Sequence, residues 1–424
     1  MDDGTKVSPR KAVVIGAGIA GISSALYLQR DGHSVTVLDP EPPGSMTSYG
    51  NAGLIATYAT IPTATPDILM RVPKMLMDPS GPLSLRWSYL PHLAPWLLSL
   101  VRNSAPDRIR RNALVKSILL NRAWDDYKPL IASAKADELF YAGGMLRVFR
   151  TEDAFEAMKA RELDLMDITG RQYELLGVDE IRQMEPGLEP VFQHAIFSTD
   201  TRNMRNPGRL TELFAADFIA KGGTIEREAV TALSGSADGK WRIGTDRTEY
   251  NADIVVVAAG AWSTRIARMI GLRLLLDTER GYHVMLPPPT PGLNRSVHFG
   301  EEGFIVCPME EGYRLSTGVE LASVDAPPDY RRIRRAVGQA TSFIKGFGTT
   351  EKSIWMGRRP STPDTVPILG AAPDRDGLYF ATGGAHIGMT LGPTFGRIIA
   401  DLVAGRDPGA VSYTHLTLPT IYSV

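Results

Sequence analysis

The chain has 424 residues, more than one compact core usually holds, so we expect two domains. Its residues are 43% hydrophobic and 22% charged, as in ordinary globular proteins, and the net charge of −1 gives no electrostatic basis for binding nucleic acid. The single cysteine, Cys307, excludes an internal disulfide and a multi-cysteine metal site, and the 7 histidines lack the spacing of metal ligands, so we expect no metal.

The first predicted element is a strand that runs directly into a glycine-rich turn. Residues 13–15 are apolar and predict a buried parallel strand, and Gly16, Gly18 and Gly21 follow it. In a dinucleotide-binding turn the first glycine permits the tight turn, the second lets the backbone approach a pyrophosphate, and the third lets the helix pack closely on the strand. The helix that continues from Ile22 is expected to direct its positive dipole end at the phosphates.

A second strand completes this predicted nucleotide-binding unit. Gly32 ends the helix, and residues 34–39 form the next strand, which closes on Asp39. Asp39 lies about twenty residues past the glycines, where a carboxylate accepts hydrogen bonds from an adenosine ribose. The strand, helix and acid together are more specific than a glycine motif alone. The alternative is a chance glycine-rich turn.

The rest of the chain predicts a helical region and then mixed structure. In chain order we expect a loop at 50–66, helices within 67–135 with the clearest amphipathic stretch at 108–127, a strand at 143–149, a helix at 151–168, a helix at 207–221, a strand at 224–230, a buried strand entering a glycine turn at 252–262, antiparallel strands within 280–320, and a strand at 377–384 followed by a helix to about 404.

These elements predict an α/β protein with a Rossmann-like nucleotide-binding domain and an α+β second domain, in which an antiparallel sheet and helices form the substrate site. The C-terminal residues follow no pattern set by the preceding helix and resemble translated adapter sequence, with a real extended tail as the alternative. The predicted division is nucleotide domain 1–60, 196–268 and 350–411, substrate domain 61–195 and 269–349, and non-native tail 412–424.

No segment is predicted to span a membrane. The most apolar stretch, residues 90–101, is shorter than the twenty or so residues that a span needs and contains His92. We expect no signal peptide and a cytoplasmic location, with a peripheral position at the inner face of the membrane left open. Residues 87–101 could rest on a membrane or a redox partner through Trp87 and Trp96. The alternative is that they form part of the second domain's core.

Four motifs resemble one family, the FAD-dependent amine and amino-acid oxidoreductases that include D-amino-acid oxidase, glycine oxidase, sarcosine oxidase and the bacterial D-amino-acid dehydrogenases. Residues 255–260 (Val-Val-Val-Ala-Ala-Gly) resemble the family's second nucleotide motif. Residues 48–53 (Ser-Tyr-Gly-Asn-Ala-Gly), 356–370 (Met-Gly-Arg-Arg-Pro-Ser-Thr-Pro-Asp and onward) and 382–390 (Thr-Gly-Gly-Ala-His-Ile-Gly-Met-Thr) are closest to the dehydrogenase branch.

The resemblance implies an FAD enzyme that oxidises an amino acid, with a D-amino acid as the expected substrate. The α-hydrogen would leave as hydride to flavin N5, and the imino acid would hydrolyse to a keto acid and ammonia. Electrons would pass to a quinone, an electron-transfer protein or oxygen. Two alternatives remain: an oxidase of glycine, sarcosine or a cyclic secondary amine such as proline or hydroxyproline that produces peroxide, and an FAD-binding subunit that relays electrons within a complex.

The same resemblance assigns the substrate-side residues. Arg359 precedes the proline of the family's Gly-x-Arg-Pro motif and is expected to bind the substrate carboxylate, since a guanidinium matches a carboxylate with two parallel hydrogen bonds. The alternative is that Arg359 forms a structural salt bridge. If the motif is shifted by one residue, Arg358 takes the role assigned to Arg359. Tyr282 is a substrate-side residue or a core tyrosine. His386 bonds cofactor or substrate, or is a turn residue without a catalytic role.

We expect FAD to be held non-covalently, because Ser361 stands near the position where sarcosine oxidases have the flavin-linking cysteine, and Cys307 lies elsewhere as a core thiol. Gly384 departs from the branch, which commonly has histidine there. The resemblance and the glycine motif together predict the following cofactor-binding residues: Gly16, Gly18, Ile19, Ala20, Gly21, Asp39, Pro40, Ser48, Asn51, Ala52, Gly53, Leu54, Val230, Ala259, Gly260, Trp262, Arg359, Gly384, His386, Gly388, Met389 and Thr390.

Overall fold

A computed structural model gives the structure of the chain and describes residues 8–78, 81, 83–235, 239–409 and 421–423. The helices of these residues are α1 (Ile19–Arg30), α2 (Pro66–Met77), α3 (Leu90–Asn103), α4 (Pro106–Ala134), α5 (Glu152–Ile168), α6 (Val178–Met184), α7 (Pro207–Ala220), α8 (Ser263–Met269), α9 (Arg331–Ala340) and α10 (Gly388–Val403). Short 3-10 helices cover Trp87–Tyr89, Asp137–Leu139, Gly260–Trp262 and Ala385–Ile387.

The strands are β1 (Lys11–Ile15), β2 (Ser34–Leu38), β3 (Leu54–Ile55), β4 (Leu83–Leu85), β5 (Phe140–Tyr141), β6 (Met145–Phe149), β7 (Tyr173–Leu176), β8 (His194–Ser198), β9 (Arg202–Met204), β10 (Thr224–Glu226), β11 (Val230–Gly235), β12 (Trp241–Thr245), β13 (Glu249–Ala252), β14 (Ile254–Val257), β15 (Leu272–Leu274), β16 (Asp277–Leu286), β17 (Ser296–Phe299), β18 (Phe304–Met309), β19 (Gly312–Leu321), β20 (Ser353–Ser361), β21 (Ile368–Ala371), β22 (Leu378–Thr382) and β23 (Ile421–Ser423).

The first sheet has the order β10-β2-β1-β14-β22-β21 and is parallel except for β21. Side chains alternate between the two faces of a strand, and β1 is buried on both. Its Ala12 and Val14 join the core formed with α1, α7 and α10, whereas Val13 and Ile15 join the core formed with α8 and the small sheet β11-β12-β13. The predicted strand–turn–helix–strand unit is therefore present, with α1 connecting β1 to β2.

The second sheet has the order β20-β16-β19-β18-β17-β6-β8-β7, with β4 paired to β19. The antiparallel strands predicted within 280–320 are confirmed as β16 to β19. On one face of this sheet α9 packs through Ile333 and Val337 on residues that include Val284 and Leu315. The register of β16 against β19 shifts between Arg280 and Tyr282, which is a bulge that bends the sheet beside the cavity described below.

Two local predictions differ from the structure. The strand predicted at 224–230 ends at Glu226, and β11 begins separately at Val230 in a different sheet, because β10 pairs with β2 whereas β11 pairs with β12. Residues 67–135 are mainly helical as predicted, but β4 interrupts them. The helix predicted at 207–221 is confirmed as α7, and the Asn206 side chain caps it by accepting a hydrogen bond from the Arg209 amide at 3.0 Å.

The predicted domain division and tail remain predictions. Strand β8 crosses the predicted limit at 196, and β20 follows the predicted limit at 350, where the nucleotide domain is expected to resume. Both strands nevertheless pair within the second sheet, so sheet membership does not follow these limits. Residues 412–420 and 424 of the predicted tail lie outside the described residues, and β23 pairs antiparallel with β15.

Within the described ranges, each helix is too short or too polar to cross a bilayer. The two tryptophans predicted as surface anchors behave differently. Trp87 is 68% exposed, whereas Trp96 is 3% exposed and its indole N–H donates to the Ser361 carbonyl at 2.9 Å. Of the two alternatives, Trp96 therefore follows the core interpretation, because its indole packs beside Leu93 and Leu321.

Candidate active site

A cavity of about 800 Å³ opens between the two sheets and is lined by residues of both. One wall comes from the end of β1, the start of α1 and the turn after β14. The opposite wall comes from β16, β19 and β20, and the start of α10 closes one side. A cavity of this size is within the range of small-molecule and cofactor sites.

The glycine turn after β1 has no room for side chains. Gly16 has φ +115°, and a Cβ there would lie 2.5 Å from the Ala258 carbonyl oxygen. A Cβ on Gly21 would lie 1.9 Å from the Gly16 carbonyl oxygen, so the close packing of α1 on the turn requires glycine. The Ile19 amide at the start of α1 donates to the Ser48 hydroxyl at 3.0 Å. The backbone of the turn can therefore approach a bound phosphate without steric hindrance.

Asp39 closes the turn through its carboxylate. Its Oδ2 accepts from the Ala17 amide at 2.7 Å, and its Oδ1 accepts from the Glu41 amide at 2.8 Å. Burial raises the pKa of Asp39, and the two amide hydrogen bonds oppose that rise. Each carboxylate oxygen has a second lone pair, so Asp39 can still accept from a ligand hydroxyl.

The second glycine turn connects β22 to α10 along the cavity. A Cβ on Gly384 would lie 2.6 Å from the Gly388 Cα, so the histidine that the resemblance leads us to expect at this position does not fit the turn as it is built here. Ala385 has φ +41°, and His386 follows in the short 3-10 helix. Gly388 and Met389, the first residues of α10, line the cavity, so the positive dipole end of α10 lies at its wall.

Arg359 lies on β20 with its guanidinium against the cavity. A Cβ on Gly281 would lie 2.1 Å from its Nη2 atom, so the absence of a side chain on β16 creates the space that the guanidinium fills. Its Nη1 donates to the Gly318 carbonyl at 3.1 Å, and Gly318 has φ +85° at the bulge of β19. Neighbouring Arg358 instead donates to the Val324 carbonyl at 2.6 Å and is not among the residues that line the cavity.

A buried carboxylate beside Arg359 was missed by sequence reasoning. Glu279 pairs with Arg359 in the β16–β20 ladder, and its Oε2 lies 3.0 Å from His386 Nε2 and 3.0 Å from the Ser361 hydroxyl. Burial favours the neutral acid, but His386, Arg359 and Ser361 together hold the pKa of Glu279 below its ordinary value. Glu279 is thus ionised at neutral pH and orients His386 at the cavity wall.

Tyr282 lies in the wall, but its hydroxyl is engaged elsewhere. The hydroxyl donates to Glu320 and accepts from the Asp329 amide at 3.2 Å, and its ring packs at a right angle to Tyr330. Burial and the Glu320 carboxylate raise its pKa well above the ordinary value. These contacts are those expected of a core tyrosine of the sheet.

Most of the predicted cofactor-binding residues line this cavity, together with Tyr282. Three do not. Gly21 packs on Gly16, Gly53 has φ +70° and accepts from the Met204 amide at 2.7 Å, and Thr390 donates to the Leu54 carbonyl at 3.3 Å. The lining residues of the predicted set are Gly16, Gly18, Ile19, Ala20, Asp39, Pro40, Ser48, Asn51, Ala52, Leu54, Val230, Ala259, Gly260, Trp262, Arg359, Gly384, His386, Gly388 and Met389.

Other lining residues carry no sequence motif. His298, Ser316 and Trp355 reach the cavity only because the second sheet folds over it, and Tyr58 reaches it from the loop after β3. The alternation of β17 and β19 could have indicated which of their residues share a face, but not that this face covers a cavity. Cys307 is 1% exposed and packs with Met285 and Met309, and burial raises the pKa of its thiol to about 12.

Comparisons with known proteins agree with this architecture. The family model described as DAO, FAD dependent oxidoreductase, matches residues 11–402. The chain is 33% identical over 406 residues to a D-amino-acid oxidase of Bradyrhizobium diazoefficiens, covering 94% of this chain and 96% of the relative. It is 32% identical over 413 residues to a D-amino acid dehydrogenase of Paramagnetospirillum magneticum, covering 95% and 96%.

Two solved structures show the same fold. The glycine oxidase from Geobacillus kaustophilus superposes with a TM-score of 0.73 at 20% identity, covering 96% of this chain and 97% of that one. The L-proline dehydrogenase from P. horikoshii superposes with a TM-score of 0.70 at 19% identity, covering 97% and 96%. The extent of the family match, together with a relative at 33% identity, identifies the chain as a member of the DAO family of FAD-dependent oxidoreductases.

Proposed function

We propose that this protein oxidises the α-carbon of D-amino acids and releases the keto acid and ammonia. The observation that carries the proposal is Arg359, whose guanidinium lies at the cavity wall and bonds a neutral carbonyl rather than a carboxylate. A buried cation so placed favours an anionic ligand. The relatives named D-amino-acid oxidase and D-amino acid dehydrogenase support the substrate class.

The cavity has the features that FAD requires. The glycine turn at Gly16 and Gly18 exposes backbone at the start of α1 for the pyrophosphate, and Asp39 stands beside it for the ribose. The turn that contains Gly384 and Gly388 and the dipole of α10 would face the flavin ring, where a helix N-terminus favours negative charge. When bound, FAD supplies the two-electron acceptor for the hydride that leaves the substrate.

Attachment of FAD is proposed to be non-covalent. Ser361 is 1% exposed and donates its hydroxyl to Glu279, and the Cys307 thiol is enclosed by methionines on another strand. Neither side chain offers an exposed nucleophile, since the unactivated serine is engaged and the raised pKa of Cys307 keeps it a thiol.

The residues of this chain are proposed to bind the substrate carboxylate, orient the α-carbon and favour the neutral form of the amine. Arg359 binds the carboxylate in a fixed fork, which restricts how the α-carbon can face the ring. His386, oriented by Glu279, is placed to bond the substrate amine or the cofactor. Burial in the cavity favours the neutral amine, so the ammonium proton is lost before the hydride leaves. Water then hydrolyses the imino acid.

Anaerobic mixing tests this proposal. The yellow protein is mixed with D- and L-amino acids, glycine, sarcosine and proline while the flavin absorbance is recorded. We expect D-amino acids to bleach it fastest. Arg359→Ala should weaken substrate binding by about 2–5 kcal/mol, as removal of one partner of a buried charge pair does. Arg358→Ala removes the same charge one residue away and should leave binding unchanged. Unaltered turnover by Arg359→Ala would refute the carboxylate clamp.

We further propose that electrons leave to an acceptor other than oxygen, at a surface that contacts a membrane peripherally. Large apolar side chains are exposed along α2, the following 3-10 helix and α3: Met70, Met77, Trp87, Leu98 and Val101. Exposed apolar side chains mark interaction surfaces where they are grouped, and these five all belong to residues 66–103. Repeating the mixing in air with a peroxide assay distinguishes the acceptors, and stoichiometric peroxide would contradict this assignment.

A further inference from the structure

The cavity-facing side of the second sheet carries a row of side chains that the proposed function does not use. Residues paired directly across neighbouring strands point to the same face of a sheet. The pairing of β20, β16, β19, β18, β17 and β6 places the following residues side by side: Trp355, His283, Ser316, Ile305, His298 and Arg147. Trp355, Ser316, Ile305 and His298 line the cavity.

Four members of the row have a buried polar atom without a hydrogen-bond partner among the described residues. These atoms are His283 Nε2, Ser316 Oγ, His298 Nδ1 and Arg147 Nε. A buried polar atom that stays unpaired is unfavourable by about 1–3 kcal/mol. Ser316 and His298, two of these four residues, line the cavity, so their unpaired atoms indicate a ligand-facing surface.

The row can donate hydrogen bonds to a ligand. An arginine Nε can only donate, and serine and neutral histidine can each donate one hydrogen as well as accept. Burial lowers the pKa of His298 to about 3, with Arg147 acting in the same direction, so its ring is neutral and still carries one N–H. The nearby carboxylate of Glu162 is already paired with Arg147 and with Arg161, each at 2.7 Å. It therefore leaves no uncompensated negative charge.

The row lies within reach of a substrate held at Arg359. Ser316 stands two residues before Gly318 on β19, and two residues of a strand span about 7 Å. The Gly318 carbonyl accepts a hydrogen bond from Arg359. Glycines at 281, 303, 318 and 357 line the cavity near this point and leave space for a substrate. Tyr58 lines the same cavity and packs in one apolar cluster with Ile305, the member of the row that lies between Ser316 and His298.

We propose that Ser316, His298 and Tyr58 form a subsite for the substrate side chain, and that it selects side chains ending in a hydrogen-bond acceptor, a carboxylate or a carboxamide. The subsite rests on the proposed function, because Arg359 must hold the other end of the substrate. An apolar side chain of the same shape would leave the donors of the subsite unpaired. A site built to hydrogen-bond its substrate discriminates strongly against an analogue that lacks the hydrogen-bonding group.

The test compares matched substrates and matched ligands. With the holoenzyme, kcat/KM for D-asparagine and D-aspartate should exceed that for D-leucine, their apolar isostere, by at least tenfold. Succinate should raise the melting temperature more than butyrate, which has the same number of carbons and one carboxylate. Ser316→Ala and His298→Leu should each reduce the kcat/KM preference for the polar substrates by tenfold or more and should abolish the larger rise in melting temperature with succinate.

Ser23→Ala is the control, since the Ser23 hydroxyl is also buried and unpartnered but does not line the cavity. It should retain both preferences. If no amino acid reduces the flavin while succinate still binds better than butyrate in a Ser316-dependent manner, the proposed function fails and the subsite stands. If D-leucine and butyrate equal or surpass their polar counterparts, the subsite is refuted, whatever the reaction.

Discussion

Replacement of Gly21 by alanine tests whether the fold and FAD binding require the close approach of α1 to the glycine turn. The added Cβ would lie 1.9 Å from the Gly16 carbonyl oxygen, whereas Cβ contacts below 3.0 Å essentially never occur, so the helix must move by about 1 Å. The obstructing atom belongs to the backbone and cannot rotate away. The helix would then shift relative to β1, and the turn that faces the proposed pyrophosphate would shift with it.

The magnitude follows from two opposing effects. Overpacking of this kind is unfavourable by about 1–3 kcal/mol, and we expect the upper part of that range because backbone is displaced. Alanine gains about 1 kcal/mol over glycine inside a helix. The expected result is a net loss of about 2 kcal/mol in the free energy of unfolding, with at least tenfold weaker FAD binding, which corresponds to about 1.4 kcal/mol.

Gly338→Ala in α9 is the matched control. Gly338 is also helical, and nothing lies within 4 Å of the position of its Cβ. This variant should be stable or slightly stabilised and should bind FAD normally. The assay is urea unfolding together with titration of the apoprotein with FAD, followed by fluorescence. Wild-type stability and flavin affinity in Gly21→Ala would refute the reasoning.

Two further predictions follow from buried titratable groups. Since the folded pKa of Glu279 is below its unfolded value of about 4.3, its ionised form stabilises the fold above that pH, and this contribution is lost as the pH falls through the folded value. Glu279→Gln should therefore be less stable than wild type at pH 7, with the gap closing below about pH 4 in urea unfolding; a pH-independent gap would contradict this. The Cys307 thiol, whose pKa burial raises to about 12, should be unreactive toward a thiol reagent at pH 8 in the native state and react fully in urea; rapid native reaction would show that the site is open.

Local patterns in the sequence identified the parts of the site made from consecutive residues. The turn at Gly16, the acid at Asp39 and the turn at Gly384 each depend on spacing within one short segment, and the chain places all three at the cavity. Arg359 was identified through a motif, and the structure distinguishes it from Arg358 because the two adjacent side chains of a strand point to opposite faces.

Residues that meet only through sheet pairing could not be read from the sequence. Glu279 stands next to Arg359 because β16 and β20 pair in a particular register. Ser316 and His298 stand in one row because Ile305 of β18 pairs with both of them. The same holds for Tyr282, whose hydroxyl is not free for a substrate because it bonds Glu320 on the neighbouring strand β19.

The sequence by itself determined the strand–turn–helix unit and the class of cofactor, and it predicted the arginine for the carboxylate, because glycine spacing, apolar runs and short motifs act over a few residues. The tertiary structure decided which charges surround that arginine and which polar atoms face the cavity. Those depend on the register between strands such as β6 and β17, whose paired residues Met145 and Ser296 lie about 150 residues apart in the chain. A one-residue slip of a strand reverses the face of every side chain on it.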